Sequence, residues 1–133
     1  MKIPEKVKTL FNKIDLVAFA TSDKNDNPNV VPIFWKIIKD DSIILIDNFM
    51  KMTKQNLLEN NKVCISFWDP NTEEAYKLKG TAIYHVSGKI FDDGIKFVKS
   101  KKPERNPKGV VEIKITEIFN IKCGEEAGNK LEG

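Results

Sequence analysis

The stretch that decides the fold is IILIDNFMKMTKQNLLENNKVCISFWD, residues 43–69. It opens with an unbroken apolar run at 43–46 and closes with a second apolar run at 63–68. Between the two runs, residues 53–60 have the composition of a short helix that ends at a pair of asparagines. We therefore predict the order strand, loop, helix, strand for this part of the chain.

The loop before the predicted helix carries cationic side chains and a hydroxyl group. Lys51, Thr53 and Lys54 all lie where the helix is expected to begin. The first turn of a helix has backbone N–H groups without partners and the positive end of the helix dipole. Such a helix start suits an anion, and phosphate above all.

The rest of the chain predicts a mainly β fold. Amphipathic helices are expected at 4–14 and 91–101, and further strands at 16–21, 30–38, 75–86 and 110–123. Most links between strands are too short for parallel crossovers, so the six strands are expected to form an antiparallel sheet. We predict one small β-barrel domain with peripheral helices at 1–123, followed by a frayed tail at 124–133.

Two residues predict irregular points in the strands. Pro32 cannot donate a ladder hydrogen bond, so it indicates an edge, a bulge or a break that faces a ligand. Gly80 lies inside a long strand pattern and indicates a bend or bulge, as in a sheet that curls into a barrel.

Composition and charge exclude several classes of partner. The length of 133 residues suits a single domain, and 41% hydrophobic residues suffice for a core. A net charge of +3 is too small for the clustered basic face of a nucleic-acid-binding protein. No apolar run reaches about 18 residues, and the N-terminus has no apolar segment of a secretory signal. We expect neither a nucleic-acid partner nor a membrane partner.

The potential metal ligands and nucleophiles do not form a recognisable site. Cys64 and Cys123 are far apart, and with the only histidine, His85, they cannot make an ordinary zinc site. Unpaired cysteines in this number are typical of a reducing compartment, so we expect a cytoplasmic protein. No Ser/His/Asp pattern, carboxylate pair or glycine-rich phosphate loop occurs. We predict no metal site and no catalytic side chain.

The phrases MTKQNLLENNKVCISFWD at 52–69 and AYKLKGTA at 75–82 resemble a known family. They are similar to the pyridoxamine 5′-phosphate oxidase-like FMN-binding split barrels, and the order of elements matches from about residue 5 to 123. The resemblance implies a six-stranded antiparallel split barrel and a homodimer with FMN at its interface. One departure is Met52, because the family usually has lysine immediately before Thr53.

The resemblance also implies which residues contact the cofactor. Lys51 and Thr53 are expected at the phosphate, although a solvated lysine and a helix-capping threonine would explain the same residues. Trp68 would cover the ring edge or pack at the dimer interface. The expected cofactor-binding residues are Val31, Pro32, Ile33, Phe34, Asp47, Asn48, Lys51, Met52, Thr53 and Trp68.

The function implied by the resemblance is that of a flavoprotein. We expect an FMN-dependent oxidoreductase or electron-transfer protein whose electron donor and acceptor are unknown. Pyridoxamine phosphate oxidation itself is not expected, because the basic residues for a substrate phosphate cannot be found. Two alternatives stay open: a deazaflavin-dependent oxidoreductase of the same fold, and a non-catalytic module that binds flavin or haem.

Overall fold

The computed structural model describes residues 1–131 as a curled β-sheet with three helices outside it. None of these helices is long and apolar enough to cross a membrane. The helices are α1 (Glu5–Lys13), α2 (Met52–Glu59) and α3 (Lys89–Lys101). The strands are β1 (Val17–Ser22), β2 (Pro28–Ile33), β3 (Lys36–Ile38), β4 (Ser42–Asp47), β5 (Lys62–Trp68), β6 (Ala75–His85), β7 (Gly109–Asn120) and β8 (Asn129–Leu131).

The sheet is antiparallel throughout and curls until its two edges approach each other. The strand order is β2-β1-β5-β6-β7-β4-β3, and β8 pairs with β7. The edge strands β2 and β3 are joined by Phe34 and Trp35 alone. A two-residue link can connect opposite edges only if the sheet bends around on itself. The predicted antiparallel split barrel with peripheral helices is confirmed.

The structure has eight strands where the sequence predicts six. The predicted strand at 30–38 is divided between two strands. Its first part belongs to β2, which pairs with β1, and its last part is β3, which pairs with β4. The other additional strand is β8, in the segment expected to be a frayed tail. It pairs with β7, where Leu131 lies opposite Ile118. Residues 132 and 133 of that segment lie outside the described part of the chain.

Strand β4 is buried on both faces, which explains its unbroken apolar run. Ile43 and Leu45 point into the main core inside the barrel. Ile44 and Ile46 point outward into a second cluster beneath α3. A strand covered on both sides needs apolar residues at every position, whereas a half-covered strand alternates. This double burial fixes the position where β4 ends and the following loop begins.

The irregular points predicted at Gly80 and Pro32 are confirmed. The pairing of β6 with β7 shifts register between Lys79 and Gly80. A Cβ atom on Gly80 would lie 2.1 Å from the carbonyl oxygen of Lys114, so the close approach requires glycine. Pro32 lies in β2, an edge strand of the sheet, where a missing N–H donor is tolerated.

Candidate cofactor site

A cleft of about 520 Å³ lies between the β2–β3 link and the loop that follows β4. Two stretches that are distant in sequence form most of its surface. Its lining residues are Val31, Pro32, Ile33, Phe34, Trp35, Ile46, Asn48, Phe49, Met50, Lys51, Met52, Thr53 and Arg105.

Eight of the ten residues expected at the cofactor line this cleft: Val31, Pro32, Ile33, Phe34, Asn48, Lys51, Met52 and Thr53. Asp47 and Trp68 do not. Five lining residues are not among the ten expected ones: Trp35, Ile46, Phe49, Met50 and Arg105. Phe49 and Met50 lie inside the predicted loop and could have been included by position, whereas Arg105 arrives from the distant α3–β7 loop.

The start of α2 supplies the polar end of the cleft. The residue before the helix, Lys51, is exposed, and no side chain caps the helix start. The first backbone N–H groups of such a helix have no intrahelical acceptor. Lys54 is directed elsewhere, because its Nζ lies 5.2 Å from the centre of the Tyr84 ring. Of the two lysines beside Met52, Lys51 is therefore the one that lines the cleft.

Thr53 is buried at the start of α2, with 2% of its surface exposed. Asn29, on β2, donates a hydrogen bond from Nδ2 to Thr53 Oγ1 at 3.1 Å. A hydroxyl group that already accepts a hydrogen bond still has its own proton to donate. The pairing links the start of α2 to β2.

Asp47 does not line the cleft, and its side chain holds the loop after β4 by a hydrogen bond. Its side chain is fully buried, and Oδ1 accepts a hydrogen bond from the Met50 backbone N–H at 2.7 Å. The Tyr84 hydroxyl donates to Oδ2. Burial, followed by this contact with Asp47, raises the pKa of the Tyr84 phenol. The carboxylate thus fixes the direction in which residues 48–51 leave β4.

Asn48 lines the cleft, and its side chain carries an unsatisfied acceptor. Among the described residues, its buried Oδ1 has no hydrogen-bond partner. A buried amide oxygen without a donor costs free energy, on the order of 1–3 kcal/mol. A ligand with an N–H group would satisfy it.

Aromatic side chains form an apolar wall of the cleft. Phe34 and Trp35 pack edge to face, with ring centres 5.4 Å apart, and Trp35 packs in the same way on Phe97 of α3. Phe34 lies between β2 and β3, outside both strand ladders. Such a wall suits a planar aromatic ligand.

Trp68 lies at the end of β5, opposite Ala75 of β6, and 54% of its surface is exposed. It is outside the cleft of the single chain. His85 is also outside the cleft: its Nε2 lies 2.8 Å from Glu112 Oε1. No group of three or more His, Cys, Asp or Glu side chains in residues 1–131 could hold a metal ion.

The sequence of the whole domain matches one protein family. The family described as Pyridoxamine 5′-phosphate oxidase matches residues 3–122. The chain belongs to this family. A relative from Methanocaldococcus jannaschii, the uncharacterized protein MJ0282, is 42% identical over 129 residues, which are 96% of this chain and 85% of that protein.

Solved structures of related proteins share the fold. HupZ of Group A Streptococcus is 29% identical, with a TM-score of 0.82 over 95% of this chain and 99% of HupZ. An FMN-binding protein from Syntrophomonas wolfei is 21% identical, with a TM-score of 0.79 over 91% of this chain and 87% of that protein. HutZ, the heme storage protein from Vibrio cholerae, is 13% identical, with a TM-score of 0.71 over 90% and 95%. At 21% and 13% identity, the structural similarity shows a shared fold and nothing more.

Proposed function

We propose that this protein binds FMN non-covalently in the cleft and works as an oxidoreductase or electron carrier. The observation that carries the proposal is the convergence of residues 31–35 and 48–53 on one cleft of about 520 Å³. This volume lies in the ordinary range for cofactor sites. Bound FMN would supply one- and two-electron transfer, and the protein would supply binding and orientation.

The start of α2 fits the phosphate of FMN. The Lys51 ammonium group, the Thr53 hydroxyl group and the uncapped N–H groups of the first turn would hold it. These groups combine a point charge, a hydroxyl donor and the positive end of the helix dipole. Met52 at the usual lysine position leaves this set complete, because Lys51 lines the same cleft.

The remaining lining residues fit a flavin ring. Phe34, Trp35 and Ile33 offer apolar surface, and the unpaired Asn48 Oδ1 offers an acceptor for a ring N–H group. Burial of the ring against these side chains would exclude water from one of its faces. The redox chemistry would then depend on the flavin and its partners.

We also propose that the protein is a homodimer in which the second copy covers this cleft. Around the centre of β1 the outward side chains are small or apolar: Ala18 lies opposite Pro32 and Ser66, and Ala20 lies opposite Val30 and Cys64. Pro32 also lines the cleft, so the apolar face and the cleft are continuous. Val30 and Phe34 are 62% and 55% exposed, which favours a further partner surface over them.

Identification of the cofactor tests the proposal. The purified protein should be incubated with FMN and desalted, and the retained molecule should be released and identified by mass spectrometry. We expect retained FMN and a flavin absorption spectrum. Retention of a deazaflavin in preference to FMN would support the first alternative, and a Soret band after addition of haem would support the second. His85, the only histidine, lies outside the cleft and contacts Glu112, so it offers no support for haem there.

A further inference from the structure

Arg105 is the only arginine in the sequence, and it lies at the rim of the cleft. Its guanidinium carbon lies 5.3 Å from the centre of the Phe49 ring. Phe49 also lines the cleft, and 72% of its surface is exposed. The two side chains therefore place a planar cation on an aromatic surface beside the proposed flavin site.

The loop that carries Arg105 is fastened at both ends. The Lys99 ammonium group donates to the Pro103 carbonyl at 3.3 Å and to Asn106 Oδ1 at 3.1 Å. The Lys108 N–H group donates to the carbonyl oxygen of Asp47 at 2.8 Å. The α3–β7 loop is thus joined to the end of β4, and the guanidinium group is held near the loop at 48–51.

The guanidinium group has no anionic partner within residues 1–131. Arg105 takes part in none of the ion pairs and in none of the side-chain hydrogen bonds there. Arg105 as a whole is partly buried and lines the cleft. Its unpaired guanidinium group can therefore bind an anion that comes from outside the chain.

We propose that Arg105 and Phe49 form a subsite for the carboxylate group of a small organic substrate. This inference rests on the proposed function, because it assigns the FMN phosphate to Lys51 and Thr53 and leaves Arg105 for a second anion. A single guanidinium group matches the charge and the flat, two-oxygen geometry of a carboxylate. Phe49 would contact the apolar part of the same molecule.

The test compares benzoate with benzamide, which has the same shape and no charge. Each compound is titrated into the FMN-loaded protein, and the flavin absorption change reports binding. We expect benzoate to bind at least about tenfold more tightly than benzamide, and Arg105→Gln to abolish this preference. Arg105→Lys keeps the charge without the planar fork, so it should retain part of the preference.

A second set of titrations distinguishes the carboxylate of a substrate from the phosphate of the cofactor. The proposal predicts that Arg105→Gln leaves the affinity for both FMN and riboflavin unchanged. A loss of FMN affinity with unchanged riboflavin affinity would instead make Arg105 a phosphate ligand and overturn the proposal. Equal affinity of the wild-type protein for benzoate and benzamide would also overturn it.

The same compounds separate failure of this inference from failure of the proposed function. If the protein takes up no FMN, the proposed function fails, and calorimetric titration of the FMN-free protein still decides the subsite, because Arg105 and Phe49 belong to the chain. A benzoate preference that depends on Arg105 would then support the subsite. No such preference would overturn it. Equal thermal unfolding of the wild-type protein and both variants excludes misfolding as the cause.

Discussion

Thr53 shows how one buried hydroxyl group can be prepared for a ligand. Asn29 Nδ2 occupies one acceptor position of the hydroxyl at 3.1 Å, and the side chain is almost fully buried at the start of α2. The proton of the hydroxyl is then available to an acceptor in the cleft. Asn29 itself does not line the cleft, so it would act through Thr53 as a positioning residue.

Asn29→Ala should therefore weaken FMN binding by about three- to tenfold, and Thr53→Val by a similar amount. The two effects should not add, because Asn29 is expected to act only through the Thr53 hydroxyl group, which Thr53→Val removes. The measurement is the FMN dissociation constant of both single variants and the double variant. Additive losses would show that Asn29 does not act through Thr53. Unchanged riboflavin affinity in each variant is the control.

Arg105 shows which residues of the site are hidden from local sequence patterns. Lys51 and Thr53 could be predicted because they lie at a helix start, and the structure brings both to the cleft. Arg105 lies in a loop with ordinary polar composition, and only tertiary structure brings that loop beside residue 49. The missing hydrogen-bond partner of Asn48 Oδ1 could not be predicted either, because it depends on how the folded chain buries this atom.

At the scale of elements, an ion pair joins the end of α1 to the residue that follows β5, beside the edge-to-face contact of Phe11 with Phe67. Lys13 Nζ lies 2.7 Å from Asp69 Oδ2, and the Asn71 N–H group donates to Asp69 Oδ1 at 2.8 Å. The close contact with the Lys13 ammonium group is the main cause that lowers the pKa of the Asp69 carboxyl group, and the Asn71 N–H group adds to it. The ionised carboxylate thus stabilises the folded state.

This pair predicts how the stability changes with pH. The pKa of the Asp69 carboxyl group is lower in the folded state than in the unfolded chain, where it is about 3.9. The stabilisation is therefore present above about pH 4, and it is lost as the pH falls through the lower, folded-state pKa. Asp69→Asn should lower the melting temperature near pH 7, and its difference from the wild-type protein should shrink in acid.

Thermal unfolding of the wild-type protein and Asp69→Asn between pH 7 and pH 3 checks this prediction. Asp26→Asn, in the exposed β1–β2 loop, is the matched control and should show no such convergence. A difference in melting temperature that is constant over this range would contradict the role of the ionised carboxylate.

The elements that were predicted wrongly share one physical cause. The segment at 30–38 has a continuous strand composition, but β2 pairs with β1 and β3 pairs with β4. β8 has polar residues, and backbone pairing with β7 holds it in place. In both cases the strand boundary is set by pairing with the neighbouring strand, which residue composition alone does not show. The bulge at Gly80 was predictable because its cause, the missing side chain, is local.

At the scale of the whole molecule, the outward face of β1 bears on assembly. Ala20 lies between Val30 on β2 and Cys64 on β5, so the centre of this face carries no charge. An uncharged patch beside the cleft fits the proposed second copy. The antiparallel pairing of the strands was predictable from short links, whereas assembly entered only through the family resemblance.

Ala20→Arg should convert the proposed dimer into a monomer, because a charge at the centre of the interface would be buried without a partner. Light scattering after gel filtration measures the mass. Ser100→Arg, on the exposed side of α3, adds the same charge elsewhere and should remain dimeric. A monomeric wild-type protein, or a dimer that persists in Ala20→Arg, would show that this face is not the interface.

The proposed function depends most on binding of the FMN phosphate at the start of α2. Its most direct test is the affinity for FMN and for riboflavin, which lacks the phosphate, in the wild-type protein, in Lys51→Ala/Thr53→Ala and in Lys54→Ala. Loss of charge-assisted hydrogen bonds should weaken FMN binding by about 10- to 100-fold in the double variant and leave riboflavin affinity unchanged. Lys54→Ala, whose ammonium group lies over Tyr84, should bind both as the wild-type protein does. Equal FMN affinity in all three proteins would contradict the account.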